Sequence, residues 1–253
     1  MNEYVQKLEE IADKHICPSE AHLVDSKILT LDMLKLIPYI IGPKVLELGY
    51  GDGMWTPKMI ELFGESHVVD ASEKLLNQVK GMYGNKVNVY PSLFEQFTPP
   101  FLFNTIIATH VLEHVDDPVA VLRRCATWLV KSNHDPVKNG VIVIVVPNAT
   151  SLHRQLAVRM GIQQTLYDFS PRDYEVGHQR VYDLPQLRAD VEMAGYEIIY
   201  ERGLFLKILP NGMMTHFSDD LIKALVDISD DLPTEYMANI ALVIRPSPNF
   251  CTR

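Results

Sequence analysis

Cysteine is scarce in this chain: Cys17, Cys125 and Cys251 are widely spaced and odd in number. That count supports neither a disulfide framework nor a zinc clip, and it fits a reducing cytosol. Long apolar runs are missing too. The longest aliphatic stretch, 141–146, falls far short of the roughly 20 residues that span a bilayer. Residues 1–13 are charged, with Val5, Leu8 and Ile11 at helical spacing, and they lack the apolar core of a signal peptide. A cytoplasmic protein with no membrane partner is therefore expected. Basic residues are outnumbered, 23 Lys and Arg against 32 Asp and Glu, for a formal charge of −9. A nucleic-acid binder needs a net basic face to displace counterions, so no such partner is expected. Internal repeats and low-complexity tracts are also absent. The 253 residues, 47% hydrophobic and 22% charged, suit a single α/β domain over 1–253.

Against this background, residues 45–53 read Val-Leu-Glu-Leu-Gly-Tyr-Gly-Asp-Gly, and Asp70 stands 21 residues after Gly49. An apolar strand breaks into glycines that turn the chain sharply and let a ligand approach bare backbone. Asp70 closes the next strand, where a carboxylate can take two ribose hydroxyls. A dinucleotide site wants Gly-x-Gly-x-x-Gly, and position 54 is Met. That spacing disfavours a nicotinamide dehydrogenase.

The Gly-x-Gly-x-Gly turn with Glu47 before it resembles the first motif of class I S-adenosylmethionine (SAM) methyltransferases. A second segment, Phe103-Asn-Thr-Ile-Ile-Ala-Thr-His-Val-Leu-Glu-His-Val-Asp-Asp-Pro118, is similar to the fourth strand and following turn of ubiquinone-type O-methyltransferases, with Asn104 in place of the usual Asp. The resemblance covers roughly residues 40–150 at motif level. It implies a Rossmann-like sheet of seven mostly parallel strands with helices on both faces, an antiparallel last strand and a small helical cap. It implies SAM as cofactor, with Glu47, Gly49, Tyr50, Gly51 and Gly53 at the methionine part. Asp70 and Ala71 would meet the ribose, Ser92 and Leu93 the adenine, and Thr109 and His110 the sulfonium.

The alternation of strands with helices places strands near 44–48, 67–70, 86–90, at the start of the segment 103–118, and near 140–147, 196–201 and 238–244. Helices are expected at 3–15, 19–40, 117–131 and 183–194. Asp117 and Pro118 read as an N-cap and first helical residue, and Asp116 as a second cap. The N-terminal helices 1–40 precede a cofactor core, 41–147. Two insertions, 148–182 and 204–234, would form the substrate cap. The first concentrates His153, Arg154, Arg172, His178, Arg180 and Tyr182 in an otherwise acidic chain. Arginines suit an anionic or glycosylated acceptor through bidentate contacts, or else pair locally with Asp168, Asp173 and Glu175. For a hydroxyl acceptor His178, then His153, is the expected base; an amine or carboxylate needs none. Trp55, Tyr4 and His22 are lesser candidates for covering the cofactor, and Met213, Met214, Phe205 and Phe217 read as core.

Two rival readings remain. His110-Val-Leu-Glu113-His114 matches the zinc-peptidase His-x-x-Glu-His signature, which needs a continuous helix; here it follows a strand and meets Asp-Asp-Pro, so no metal is expected. A non-catalytic SAM-binding protein on the same fold is the other. The expected activity is methyl transfer to a small molecule, by a monomer or homodimer.

Overall fold

The computed structural model describes residues 20–248 apart from 52, 133, 134 and 136–138, with the side chains of 20–23 and 25 also left aside. The helix expected at 3–15, Tyr4, His22, Cys17 and Cys251 lie outside the described residues or side chains. Seven strands form one sheet: β1 Val45–Leu48, β2 Ser66–Asp70, β3 Val87–Pro91, β4 Thr105–Thr109, β5 Val141–Pro147, β6 Tyr196–Leu204 and β7 Asn239–Pro246. Their order is β3-β2-β1-β4-β5-β7-β6. Only β7 runs antiparallel to its neighbours, β5 and β6. This is the Rossmann-like architecture expected from the sequence.

The strands read as near-continuous apolar runs because both faces are covered. In β5 the six residues Val141 to Val146 are all buried. On one face Leu46, Ile106, Ile142 and Leu242 pack against Leu122, Trp128 and Leu187 of α4 (Pro118–Trp128) and α7 (Leu184–Met193). On the other, Val45, Ile107 and Val143 meet Leu36 of α1 (Glu20–Leu36) and Met59 of α2 (Trp55–Phe63). The remaining helices are α3 (Glu73–Tyr83), α5 (Leu152–Arg159), α6 (Pro171–Val176) and α8 (Asp219–Asp227). Among the described residues no helix is long and apolar enough to cross a membrane.

Several boundaries differ from expectation for local reasons. The helix read over 19–40 ends at Leu36 and gives way to a short 3-10 turn ahead of Ile40, whose backbone is extended. The helix read over 117–131 stops at Trp128, because Leu129 turns extended and bridges to Phe103. There Trp128 O accepts the Phe103 N–H at 2.7 Å and Phe103 O accepts the Val130 N–H at 2.8 Å. Asn104 serves where an Asp was expected: its Oδ1 accepts the Lys44 N–H at 3.1 Å, which an amide oxygen does as well as a carboxylate. Of the Met and Phe residues read as core, Phe205 and Met214 are buried with Ile222 and Val226 of α8, while Met213 stands exposed.

Asp117 caps α4, accepting the Ala120 N–H at 2.9 Å, with Pro118 at the first helical position. Asp116 is not a cap; its Oδ1 accepts from Gln179 Nε2 at 2.7 Å. Asp117→Ala is therefore expected to cost about 1 kcal/mol of unfolding free energy, measured by urea titration. A change below a few tenths would show that the cap contributes nothing.

Candidate functional site

Strand order reverses between β1 and β4, with β2 and β3 on one side and β5 on the other. Ligands of open α/β sheets sit outside the carboxyl ends of the strands at such a point. A cavity of about 460 Å³ lies there, within the range of small-molecule sites. Its wall includes Glu47, Gly49, Tyr50, Gly51, Asp70, Ala71, Ser92, Leu93, Thr109, His110, His153, Arg154, Arg172 and His178. Thus residues from five separate stretches of sequence converge on one space.

The turn after β1 is built as its composition demands. Gly49, Gly51 and Gly53 all have positive φ, 68°, 49° and 70°. Side chains rarely adopt that region, so the turn needs glycine. Gly53 is absent from the cavity wall; a Cβ there would run into the Tyr50 ring, so its role is packing. Asp70 holds the turn: its Oδ2 accepts the Tyr50 N–H at 2.9 Å and its Oδ1 the Ser72 N–H at 2.8 Å. Ser72 in turn caps α3. Ser92 Oγ donates to Leu93 O at 2.9 Å, so the hydroxyl is engaged locally.

Glu47 is buried in β1, and its Oε2 accepts from Thr56 Oγ1 at 2.6 Å. Burial pushes its pKa up to about 8; the Thr56 hydrogen bond opposes this and the nearby Asp70 charge adds to it. Near neutral pH this carboxyl holds its proton, and a cation bound beside it would favour release of that proton to solvent. Trp55 Nε1 donates to Thr109 Oγ1 at 3.1 Å, and the indole packs with Met33 and Met59.

The stretch His110 to His114 forms a turn, not a helix, and His110 opens it at φ 55°. The two histidines therefore do not share a helix face, and the peptidase geometry is not formed. His110 Nδ1 lies 3.2 Å from Glu113 Oε1. A different grouping appears instead. Glu113, His114 and His178 bring ligand atoms within 4.8 Å of one another, the one such set among the described residues. Glu113 Oε2 is buried without a partner. Burial by itself raises the Glu113 pKa, yet the His110 hydrogen bond and the charges of His110, His114 and His178 bring it below the usual value. Burial lowers that of His114 against the opposing charge of Glu113. These donors are of the type able to hold a divalent ion, a set that spacing along the chain did not reveal because His178 arrives from the insertion.

Asp173 organises that insertion. Its Oδ1 lies 2.7 Å from His178 Nδ1, and its Oδ2 accepts from Arg154 Nη2 at 2.8 Å and from the Ser170 N–H at 2.6 Å. Burial pushes its pKa up, but these hydrogen bonds and the Arg154 charge outweigh that and hold it well below the usual range. The cationic cap expected for an anionic acceptor is largely spoken for. Arg154 also donates to Asp168 O at 2.9 Å. Arg180 and Tyr182 are corrections to the expected substrate site, since neither belongs to the cavity wall. Arg180 donates to the carbonyls of Leu112, Val115 and Asp116, clamping the turn after β4. Tyr182 is buried, its hydroxyl donating to Asp190 at 2.7 Å. Arg172 remains on the wall, exposed and 3.5 Å from Glu175. His153 is on the wall as well, but burial lowers its pKa to about 3, with Lys207 and Arg154 adding to the effect, and this makes it a weak base.

Sheet order and cavity together define the class: an α/β protein of Rossmann-like fold with its binding space at the strand-order reversal. A family model described as a methyltransferase domain matches residues 4–201, and the chain belongs to that family. The ubiquinone biosynthesis O-methyltransferase of Nitrosospira multiformis is 33% identical over 92 residues, 34% of this chain and 38% of that protein. That of Albidiferax ferrireducens is 29% identical over 134 residues, 46% and 52% of the two chains. The chain thus matches about two fifths to one half of these relatives' length. Among solved structures, the CcbJ methyltransferase from Streptomyces caelestis aligns with a TM-score of 0.60 at 16% identity, covering 95% of this chain and 98% of that one. A SAM-dependent methyltransferase from Archaeoglobus fulgidus aligns at 0.57 with 19% identity, covering 87% and 94%. These likenesses establish the fold.

Asp173→Ala is expected to lower stability by about 3 kcal/mol in urea titration at pH 7, because it leaves the Arg154 charge buried without its partner. The wild type should lose this contribution only as pH falls below about 4, where the unfolded carboxyl takes up a proton. An equal loss at pH 3 and pH 7 would contradict the assignment.

Proposed function

We propose that the protein transfers a methyl group from SAM to a small-molecule acceptor. The observation that carries this reading is Asp70. It ends β2, holds the glycine turn through Tyr50 N–H and borders the cavity, as a ribose-binding carboxylate should. The glycine turn leaves the space over β1 open, since a Cβ at Gly49 would meet no atom closer than 3.9 Å and one at Gly51 none within 4 Å. When bound, SAM supplies an electrophilic methyl group on a sulfonium.

Glu47 with the turn Gly49-Tyr50-Gly51 takes the methionine part, and burial keeps the Glu47 carboxyl poised to answer an ammonium. Asp70 and Ala71 take the ribose, Ser92 and Leu93 the adenine edge, and Thr109 and His110 border the reacting end. Such a displacement needs alignment more than covalent help, so these residues act mainly by positioning. His178, oriented through Nδ1 by Asp173, is the base for a hydroxyl acceptor, a role worth about 10²- to 10⁴-fold in rate. His153, also on the wall, is the second candidate. An anionic or glycosylated acceptor would meet Arg172 and Lys207 on the wall, while Arg154 holds the insertion in shape. The site is read as cytoplasmic and complete in a monomer or homodimer.

Two measurements test the cofactor assignment. Asp70→Ala should weaken S-adenosylhomocysteine binding by about 100-fold in calorimetry, the loss expected for charge-assisted bonds to two hydroxyls. Unchanged affinity in a variant with native circular dichroism would refute the ribose assignment. At pH 7, binding of the same ligand should release a proton, seen as a dependence of the heat on buffer ionisation enthalpy. Glu47→Gln should abolish that release; its persistence would remove Glu47 from the ammonium site. A protein that binds the cofactor and transfers nothing to any acceptor would be the non-catalytic alternative.

A further inference from the structure

The cavity contains a carboxyl group that neither the cofactor assignment nor the insertion accounts for. Asp32 lies on α1 and lines the cavity, whose wall also carries the apolar Ile28, Leu29, Met33, Leu204 and Phe205 and the polar His110 and Asn239. The residue is only 3% exposed. Neither Oδ1 nor Oδ2 has a hydrogen-bond partner. Buried polar groups are nearly always satisfied, and one left with both oxygens idle in a ligand cavity calls for a partner from the ligand.

The surroundings define what that partner is. Burial raises the Asp32 pKa to about 7. Lys35 on the same helix, His110 after β4 and Arg202 on β6 act in the opposite sense through their charges, and the Asn239 amide on β7 through a weak hydrogen-bonding approach that satisfies neither oxygen. Lys35 is already engaged by Val226 O at 2.7 Å and Ser229 Oγ at 3.1 Å, and Arg202 by Asp230 and Tyr200. The cations nearby are therefore committed to protein acceptors, which leaves Asp32 to an incoming donor. Its electrostatic interaction with His110 associates it with the reacting end of the cavity under the assignment made above. Apolar side chains around a single hydrogen-bond acceptor suit an acceptor molecule with an apolar body and one O–H or N–H.

We propose that Asp32 selects the methyl acceptor, taking a hydrogen bond from a hydroxyl or amine on an apolar ring and excluding a carboxylate at that position. This rests on the methyltransferase reading and narrows its acceptor class. Carboxylate methylation is disfavoured because two carboxyl groups cannot share the site in ionised form. The anionic character that arginines suggested then belongs to a distal part of the acceptor, toward Arg172.

The test uses protein saturated with S-adenosylhomocysteine and three probes that share one ring, catechol, benzylamine and benzoate, with calorimetric titration of the wild type and Asp32→Asn. The expected result at pH 8 is that catechol or benzylamine binds and benzoate does not. Asp32→Asn should weaken the donor probe at least tenfold and admit benzoate. Donor affinity should rise between pH 6 and pH 8 in the wild type as the carboxyl ionises, and stay flat in the variant, a readout that a packing role would not produce. Equal affinity of wild type and variant for all three probes, or no binding of either donor, would overturn the proposal. A tenfold loss of S-adenosylhomocysteine affinity in Asp32→Asn would overturn it differently, by assigning Asp32 to the cofactor ammonium. Failure of the wild type to bind S-adenosylhomocysteine at all would instead sink the methyltransferase reading, so the two failures are distinct.

Discussion

The site depends on one carboxylate placed at the end of a strand. Asp70 accepts from Tyr50 N–H on one oxygen and from Ser72 N–H on the other, and so joins the turn after β1 to the start of α3. Three residues with positive φ follow in five positions, a conformation that costs backbone entropy on folding and needs a fixed point to persist. Asp70 supplies that point from the neighbouring parallel strand. Because β1 and β2 pair in register from Leu46 with His67 to Leu48 with Val69, the acid and the turn are set side by side by the sheet itself. The geometry does not wait for a ligand.

The central architecture was legible because its signals are local. The apolar runs at 45–48 and 141–146 mark β1 and β5, three alternate glycines mark the turn, and Asp117-Pro118 marks the start of α4. The second motif gave the neighbourhood of His110 in the same way. The insertion was not legible to that degree. Arg154, Arg180 and Tyr182 looked like a substrate surface since composition says where charge is concentrated, not which charges are already answered. Asp173, named in the sequence only as a possible ion-pair partner, proved to be the residue to which Arg154, Ser170 and His178 all bond.

Other residues were missed for a different reason. Asp32 sits in a helix whose sequence, Glu-Ala-His-Leu-Val-Asp-Ser-Lys-Ile-Leu-Thr-Leu-Asp-Met-Leu-Lys-Leu, mixes charged and apolar positions with no obvious outer face. An acid in such a helix reads as solvated. Its burial arises only when Leu204, Phe205 and Asn239, some 170 to 210 positions later, close around it. The trio of Glu113, His114 and His178 is likewise a product of tertiary packing: Gln179 N–H bonds Glu113 O at 2.8 Å and Gln179 Nε2 bonds His114 O at 2.7 Å, which draws the insertion onto the turn.

The Arg180 guanidinium, bound to the carbonyl groups of Leu112, Val115 and Asp116 in the turn after β4, welds that turn to the segment carrying His178. The turn that carries His110 and the segment that carries His178 are thereby braced against each other. Relatives that evolve toward bulkier acceptors would have to enlarge the chamber from the opposite side, through α1 and the chain beyond β6, and divergence in this lineage should concentrate there.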